Sequence, residues 1–161
     1  MVKISCGPTK LDHATNRVMA ALKNTFDDER GRWIIKDHKQ ARSEWALSIP
    51  LVRDQNIQSK QDNRAQSAAN QVQKVIIDRT FIDGEGTRWI IDYKTSDHHG
   101  SDEQAFVDRE QDKYESQLNN YAQIISRIED RKVKVGLYFP MLQSWREWEP
   151  SLTPIETSLE V

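Results

Sequence analysis

VIIDRTFIDGEGTRWIIDYKT, residues 75–95, is the stretch whose reading decides the fold. Two runs of apolar, β-branched and aromatic residues flank Asp83-Gly84-Glu85-Gly86, the pattern of an antiparallel hairpin. With Gly84-Glu85-Gly86 as a three-residue loop, Gly86 takes the left-handed position such loops require. Asp83 then pairs with Thr87, and counting outward sets Asp78 directly opposite Asp92. Alternation predicts one face carrying Ile76, Asp78 and Thr80 from the first strand and Asp92 and Lys94 from the second. Opposed side chains in such a pair sit about 5 Å apart, where two like charges repel unless something compensates them. A divalent cation held by both carboxylates would do so, and Lys94 would complete a reaction centre.

Such a hairpin needs a sheet and a core, and the composition allows both. A chain of 161 residues suits one domain that buries roughly two-thirds of its unfolded surface. At 37% hydrophobic and 30% charged residues it is polar, yet five Trp, four Tyr and four Phe supply bulk. No apolar run approaches the ~20 residues of a membrane span, and no signal-peptide pattern opens the chain. Cys6 is alone, which excludes an internal disulfide or a cysteine zinc cluster and makes the reducing cytoplasm the expected compartment. The net charge of −2 argues mildly against a free-standing nucleic-acid binder, which usually carries a basic surplus. Clustered lysines and arginines can still make a local basic face, and a larger partner can supply the rest.

Ahead of the hairpin, residues 1–10 read as a lead-in with Gly7-Pro8 as a breaker. From 12 to about 28 the positions Leu11, Ala14, Val18, Ala21, Leu22, Thr25 and Phe26 recur at helical spacing. The expectation is a helix packed on a sheet, with Gly31 as its C-cap. The short apolar run Trp33-Ile34-Ile35 precedes RSEWALSIP, 42–50, read as a second strand. There Glu44, Ala46 and Ser48 face one way and Trp45, Leu47 and Ile49 the other. Glu44 either looks toward the pocket of the aspartates or stays solvated at an edge. Residues 53–70, rich in Gln, Asn and Ser, lack the apolar side chains to offset their ordering entropy and read as a mobile surface loop inside one domain.

After the hairpin, His98-His99 reads as a solvated loop pair. Ser101 opens a capping box with Gln104, and a helix should run to about Ile128. Its buried stripe is Val107, Glu110, Tyr114, Gln117 with Leu118, Tyr121, Ile125 and Ile128. Gln117, an amide one turn from both Tyr114 and Tyr121, needs partners if buried, so this face should meet a polar site or a substrate backbone. VKVGLYF, 133–139, is a strand closed by Pro140, and SWREWE, 144–149, a last short one. Its Trp145 and Trp148 lie on opposite faces and form no single stacking platform. The polar tail from Pro150 should pair weakly or fray.

The element order suggests an α/β sandwich whose mixed central sheet carries the site. Asp78, Asp92 and Lys94 suit phosphodiester hydrolysis. Carboxylate oxygens bind Mg²⁺ or Mn²⁺, which keep several waters and bridge to phosphate. Such an ion lowers the pKa of a bound water and neutralises charge at phosphorus. Lys94, two residues beyond Asp92 and on its face, can orient the attacking water or stabilise the developing anion. The carbonyl of Tyr93 offers a third metal ligand.

IIDRTFIDGEG with RWIIDYKT, then YESQLNNYA, GLYFP and WREWE, together resemble the RecB-like nuclease domain at the end of UvrD/Rep-type helicases such as AddA, a domain of the PD-(D/E)XK superfamily. The likeness extends from GRWII and the Ser-Glu-Trp strand to WREWE. It implies a restriction-endonuclease-like core, a mixed central β-sheet flanked by helices. It further implies metal ligation by Asp78 and Asp92, a catalytic Lys94, and a QxxxY motif at Gln117 and Tyr121 that lies beside the active site and contacts the DNA strand. Tyr114 and Glu44 join the candidate substrate-binding set. The implied partners are single-stranded DNA ends and helicase domains in the same or another chain. One departure stands out: the family carries a metal-binding histidine on a helix near its start, and His13 and His38 sit in the wrong context. The chain therefore looks like a domain without its first helices.

Three expectations compete: a Mg²⁺- or Mn²⁺-dependent DNA nuclease, acting as an exonuclease in recombination or repair; a catalytically inactive module of the same fold that guides DNA or braces a helicase; and an ordinary α/β interaction domain with structural aspartates.

Overall fold

The computed structural model describes residues 10–50, 72–96, 100 and 102–152. The expected loop at 53–70, His98-His99 and Ser101 lie outside those residues. Eight elements follow in order: α1 (Lys10–Asp27), α2 (Glu29–Ile35), β1 (Lys39–Pro50), β2 (Val72–Ile82), β3 (Arg88–Tyr93), α3 (Glu103–Ser126), β4 (Val133–Phe139) and β5 (Ser144–Trp148).

The β2–β3 hairpin has the expected register. Arg79 pairs with Ile91 and Ile82 with Arg88, and the Asp83 N–H donates to the Thr87 carbonyl at 3.0 Å. Gly86, at φ 85°, is the left-handed residue of the loop. The Asp83 carboxylate holds the turn closed. Its Oδ1 accepts the N–H groups of Glu85 and Thr87 at 2.9 and 3.0 Å, and its Oδ2 accepts the Trp89 indole N–H at 2.7 Å.

The strands stack in sequence order, β1-β2-β3-β4-β5, as one mixed sheet. Neighbours are antiparallel except β3 and β4, which run parallel. A parallel step needs a crossover, which α3 provides. The central strand is buried on both sides. Ile90 joins Val107, Leu118, Val135 and Leu137 on the α3 side, while Ile91 joins Ile34, Phe81, Trp89 and Tyr138 beneath α2. Trp148 and Trp145 pack on these two faces respectively, as alternation demands. At the hairpin end, buried Arg88 forms a two-point pair with Glu129 just beyond α3 (2.5 and 2.9 Å).

Several expectations are corrected. Gly31 is not a C-cap: the chain breaks at Asp28, which caps α2 by accepting the Gly31 N–H at 2.9 Å. Gly31 is there for close packing, since a Cβ would lie 2.3 Å from the Thr25 carbonyl oxygen and 2.6 Å from the Tyr138 hydroxyl. Trp33-Ile34-Ile35 is the end of that helix rather than a strand. α1 does not lay its stripe on the sheet. Val18, Leu22 and Phe26 are exposed and, among the described side chains of the stripe, only Thr25 is buried, because α1 leans mainly on α2 and the loops past the strand ends. Asp102 is the N-cap of α3, its carboxylate accepting the Ala105 N–H at 2.9 Å. The helix ends at Ser126, which leaves Ile128 exposed. Ile76 also departs from its expected face and is exposed, whereas Val75 and Ile77 enter the α3-side core. Val75 and Ile77 lie on the α3 side whereas Phe81 lies on the α2 side, so the strict two-residue alternation of β2 is broken between 77 and 81. Among the described residues no helix is long and apolar enough to cross a membrane.

Candidate functional site

The site is built where β2 and β3 run side by side toward the far end of the hairpin. The paired register of β2 and β3 ends at Arg79–Ile91, one residue short of Asp78 and Asp92. Asp92 pairs on its other side with buried Leu137 of β4, which sets it inside the sheet rather than at its rim. The Asp78 Oδ2 accepts the Tyr93 N–H at 3.1 Å, which ties this carboxylate to the end of β3. Lys94 leaves the strand immediately afterwards, its own N–H donating to the Tyr138 carbonyl at 2.9 Å.

The Lys94 ammonium turns back over the sheet. Its Nζ is 2.5 Å from Asp92 Oδ2, and both side chains are largely buried, at 15% and 13% exposure. The contact is an ion pair without hydrogen-bond geometry, so Oδ2 is buried with no hydrogen-bond partner. Burial pushes the Asp92 carboxyl above the ordinary carboxylate value, and the charge of Asp78 adds to that. Lys94 pulls the other way and is outweighed. That influence of one acid on the other places Asp78 within electrostatic reach of Asp92. Burial likewise raises the Tyr93 hydroxyl, which the Asp78 charge also raises and the Arg79 charge opposes.

α3 roofs this arrangement. Tyr114 presents its ring to Lys94, with Nζ 3.3 Å from the ring centroid. Glu110 lies one turn earlier on the same helix. Its Oε2 is buried with no hydrogen-bond partner, and its Oε1 is 3.5 Å from Lys113 Nζ. The Gln117 side-chain N–H donates to the Tyr121 hydroxyl at 2.7 Å. Gln117 is exposed rather than buried in the stripe, so its expected need for partners is met at the surface by this i,i+4 bond. Glu44 opposes Asp78 across β1, between the pairs Ser43–Arg79 and Trp45–Ile77. It is exposed and left-handed at φ 51°.

The structure thus brings together Asp78, Asp92, Lys94 and Tyr114, with the Tyr93 backbone joined to Asp78. Gln117 and Tyr121 bond to each other further along α3, and Glu44 stands at the solvent side. His38 is remote in role: its Nε2 lies 2.7 Å from the Trp33 carbonyl oxygen and its ring stacks on Phe81 at 4.0 Å. Glu110 is the residue to which sequence reasoning gave a buried position but no role. The available signal was a carboxylate on an apolar stripe, one turn before Tyr114. Among the described residues no three or more His, Cys, Asp or Glu side chains group as a metal cage.

Two buried, hydrogen-bond-free carboxylate oxygens and one ammonium offer hard oxygen donors and a fixed positive charge. Carboxylate oxygens are the donor type that a hard divalent cation takes, and Asp92 Oδ2 here faces the Lys94 ammonium. The protein is an α/β fold with a five-stranded mixed sheet flanked by helices. No family model and no curated protein sequence matches the chain.

Proposed function

We propose that this chain is a metal-dependent DNA nuclease domain of the RecB-like PD-(D/E)XK type, an exonuclease of single-stranded ends coupled to helicase domains. The observation that carries the proposal is the Lys94 ammonium 2.5 Å from the largely buried Asp92, with Asp78 tied to the end of the same strand by the Tyr93 N–H and its charge felt at Asp92. Like charges placed side by side in a sheet are costly, and a shared cation would repay the arrangement. Asp78 and Asp92 would hold Mg²⁺ or Mn²⁺, with the Tyr93 carbonyl as the third donor. The ion, when bound, supplies Lewis acidity and charge neutralisation at the phosphate. Lys94 orients the attacking water or meets the charge developing on the phosphoryl oxygens. Its backbone is fixed by the Tyr138 carbonyl, so its head group acts from a preset position. The partly buried setting strengthens each of these electrostatic contacts relative to water.

A second reading rests on the same ion pair. Lys94 already compensates Asp92 without any metal, which suits a non-catalytic module of this fold that holds DNA or braces a helicase. One experiment separates them. Purified protein is titrated with Mn²⁺ and Mg²⁺, following melting temperature and the degradation of end-labelled single-stranded DNA. Nuclease function predicts metal-dependent degradation that Asp92→Ala and Lys94→Ala abolish, and a rise in melting temperature by mass action. Metal binding without cleavage favours the module. A folded protein that neither cleaves nor responds to either ion sinks the nuclease proposal.

A further inference from the structure

We infer that Tyr114 is a positioning residue that seats the Lys94 ammonium against Asp92, rather than a residue that binds substrate. The inference rests on the nuclease proposal for its consequence in catalysis, but its geometry stands independently. Lys94 carries a flexible four-carbon stem, and nothing in an isolated strand end would choose one direction for it. Two contacts do so here. Asp92 Oδ2 lies 2.5 Å from Nζ, and the Tyr114 ring lies on another side, its centroid 3.3 Å from the same nitrogen. A cation over an aromatic face is held by the ring's quadrupole, most strongly where water is scarce. Lys94 is only 15% exposed, so this contact is of the desolvated kind.

The ring is itself fixed. Tyr114 sits on α3 and packs at the edge of the α3-side core. Lys113 Nζ is a second cation at 4.7 Å from its centroid, itself 3.5 Å from Glu110 Oε1. Lys113 is largely exposed and Lys94 is not, so the seat belongs to Lys94. The ring face turned to Lys94 is occupied and cannot stack on a base. This separates Tyr114 from Gln117 and Tyr121, which bond to each other on the more open part of the helix.

The test uses the full chain labelled with [ε-¹³C]lysine, with the Lys94 Cε–Hε signal assigned by its loss in Lys94→Arg. The expected result is a Lys94 Hε signal clearly upfield of the bulk lysine signals, from the ring current of Tyr114. Tyr114→Phe keeps that shift, and Tyr114→Leu returns the signal to the bulk position. A wild-type Lys94 signal at the bulk position overturns the inference, and this arm needs no variant of Tyr114 to fold. A Tyr114→Leu protein that is folded and keeps the shift also overturns it. Where the wild type cleaves DNA, Tyr114→Leu should lower kcat about tenfold with KM unchanged, and Tyr114→Phe should restore it. A raised KM at unchanged kcat would instead make Tyr114 a DNA contact and overturn its positioning role. Absence of cleavage in the wild type defeats the nuclease proposal alone, because the spectroscopic result does not depend on activity.

Discussion

At the scale of single residues, the site is a problem of charge. Asp78 and Asp92 lie within electrostatic reach of each other, yet they are not equivalent. Asp92 has an ammonium at 2.5 Å, whereas Asp78 is held by a backbone N–H from Tyr93. An asparagine at 78 keeps an oxygen to accept that N–H and removes the repulsion. Asp78→Asn should therefore stabilise the metal-free protein by roughly 0.5–1 kcal/mol, the scale of cross-strand pairs. Asp92→Asn should not, because it leaves Lys94 without its counter-charge. Denaturant melts of both variants in chelator check this, and an Asp78→Asn protein clearly less stable than wild type would contradict the facing-acid geometry. Sequence alone reached the hairpin register because register follows from turn length. It did not reach the partition of partners, since Tyr114 lies twenty residues beyond Lys94 and only packing brings them together.

At the scale of elements, the hairpin is self-specified. Asp83 starts its loop, accepts three N–H groups and so stabilises its own turn. Burial alone would raise its carboxyl, but the Trp89 indole and the backbone N–H groups outweigh that and hold it below the usual carboxylate value. The sign follows from linkage: a carboxylate with a lowered folded pKa contributes stability above its unfolded pKa. That contribution is lost as pH falls through the folded value. Asp83→Asn should therefore cost roughly 1–2 kcal/mol at pH 7, and the gap to wild type should close below about pH 4. Equilibrium unfolding across that range tests it, and a gap independent of pH would remove the charge from the explanation. The helices were less legible. The stripe of α1 has helical period, but period names a face and not what covers it. Trp33-Ile34-Ile35 is too short for periodicity to choose between strand and helix, and the Asp28 cap decided it.

At the scale of the whole molecule, the layers meet at small contact points that local patterns do not announce. Gly31 is one: it lets α2 close onto Thr25 and the hydroxyl of Tyr138, which donates to Asp28 at 2.9 Å. Alanine there would gain about 1 kcal/mol of helix propensity, yet its Cβ would meet backbone that cannot easily yield. The clash should dominate, so Gly31→Ala should lose about 2 kcal/mol net, a fall in Tm of roughly 4–8 °C. An unchanged or raised Tm by calorimetry would show that α2 shifts freely over the sheet. By itself the sequence determined the hairpin, its register and the strands that begin at 133 and 144, because turn chemistry and two-residue alternation act between near neighbours. Only the tertiary structure decided that Gln117 faces solvent, that α1 leaves its stripe uncovered, that Ile76 turns outward and that Tyr114 grips Lys94. Those outcomes depend on which surfaces meet across the sheet, and the free energy that selects them is shared by residues far apart in the chain.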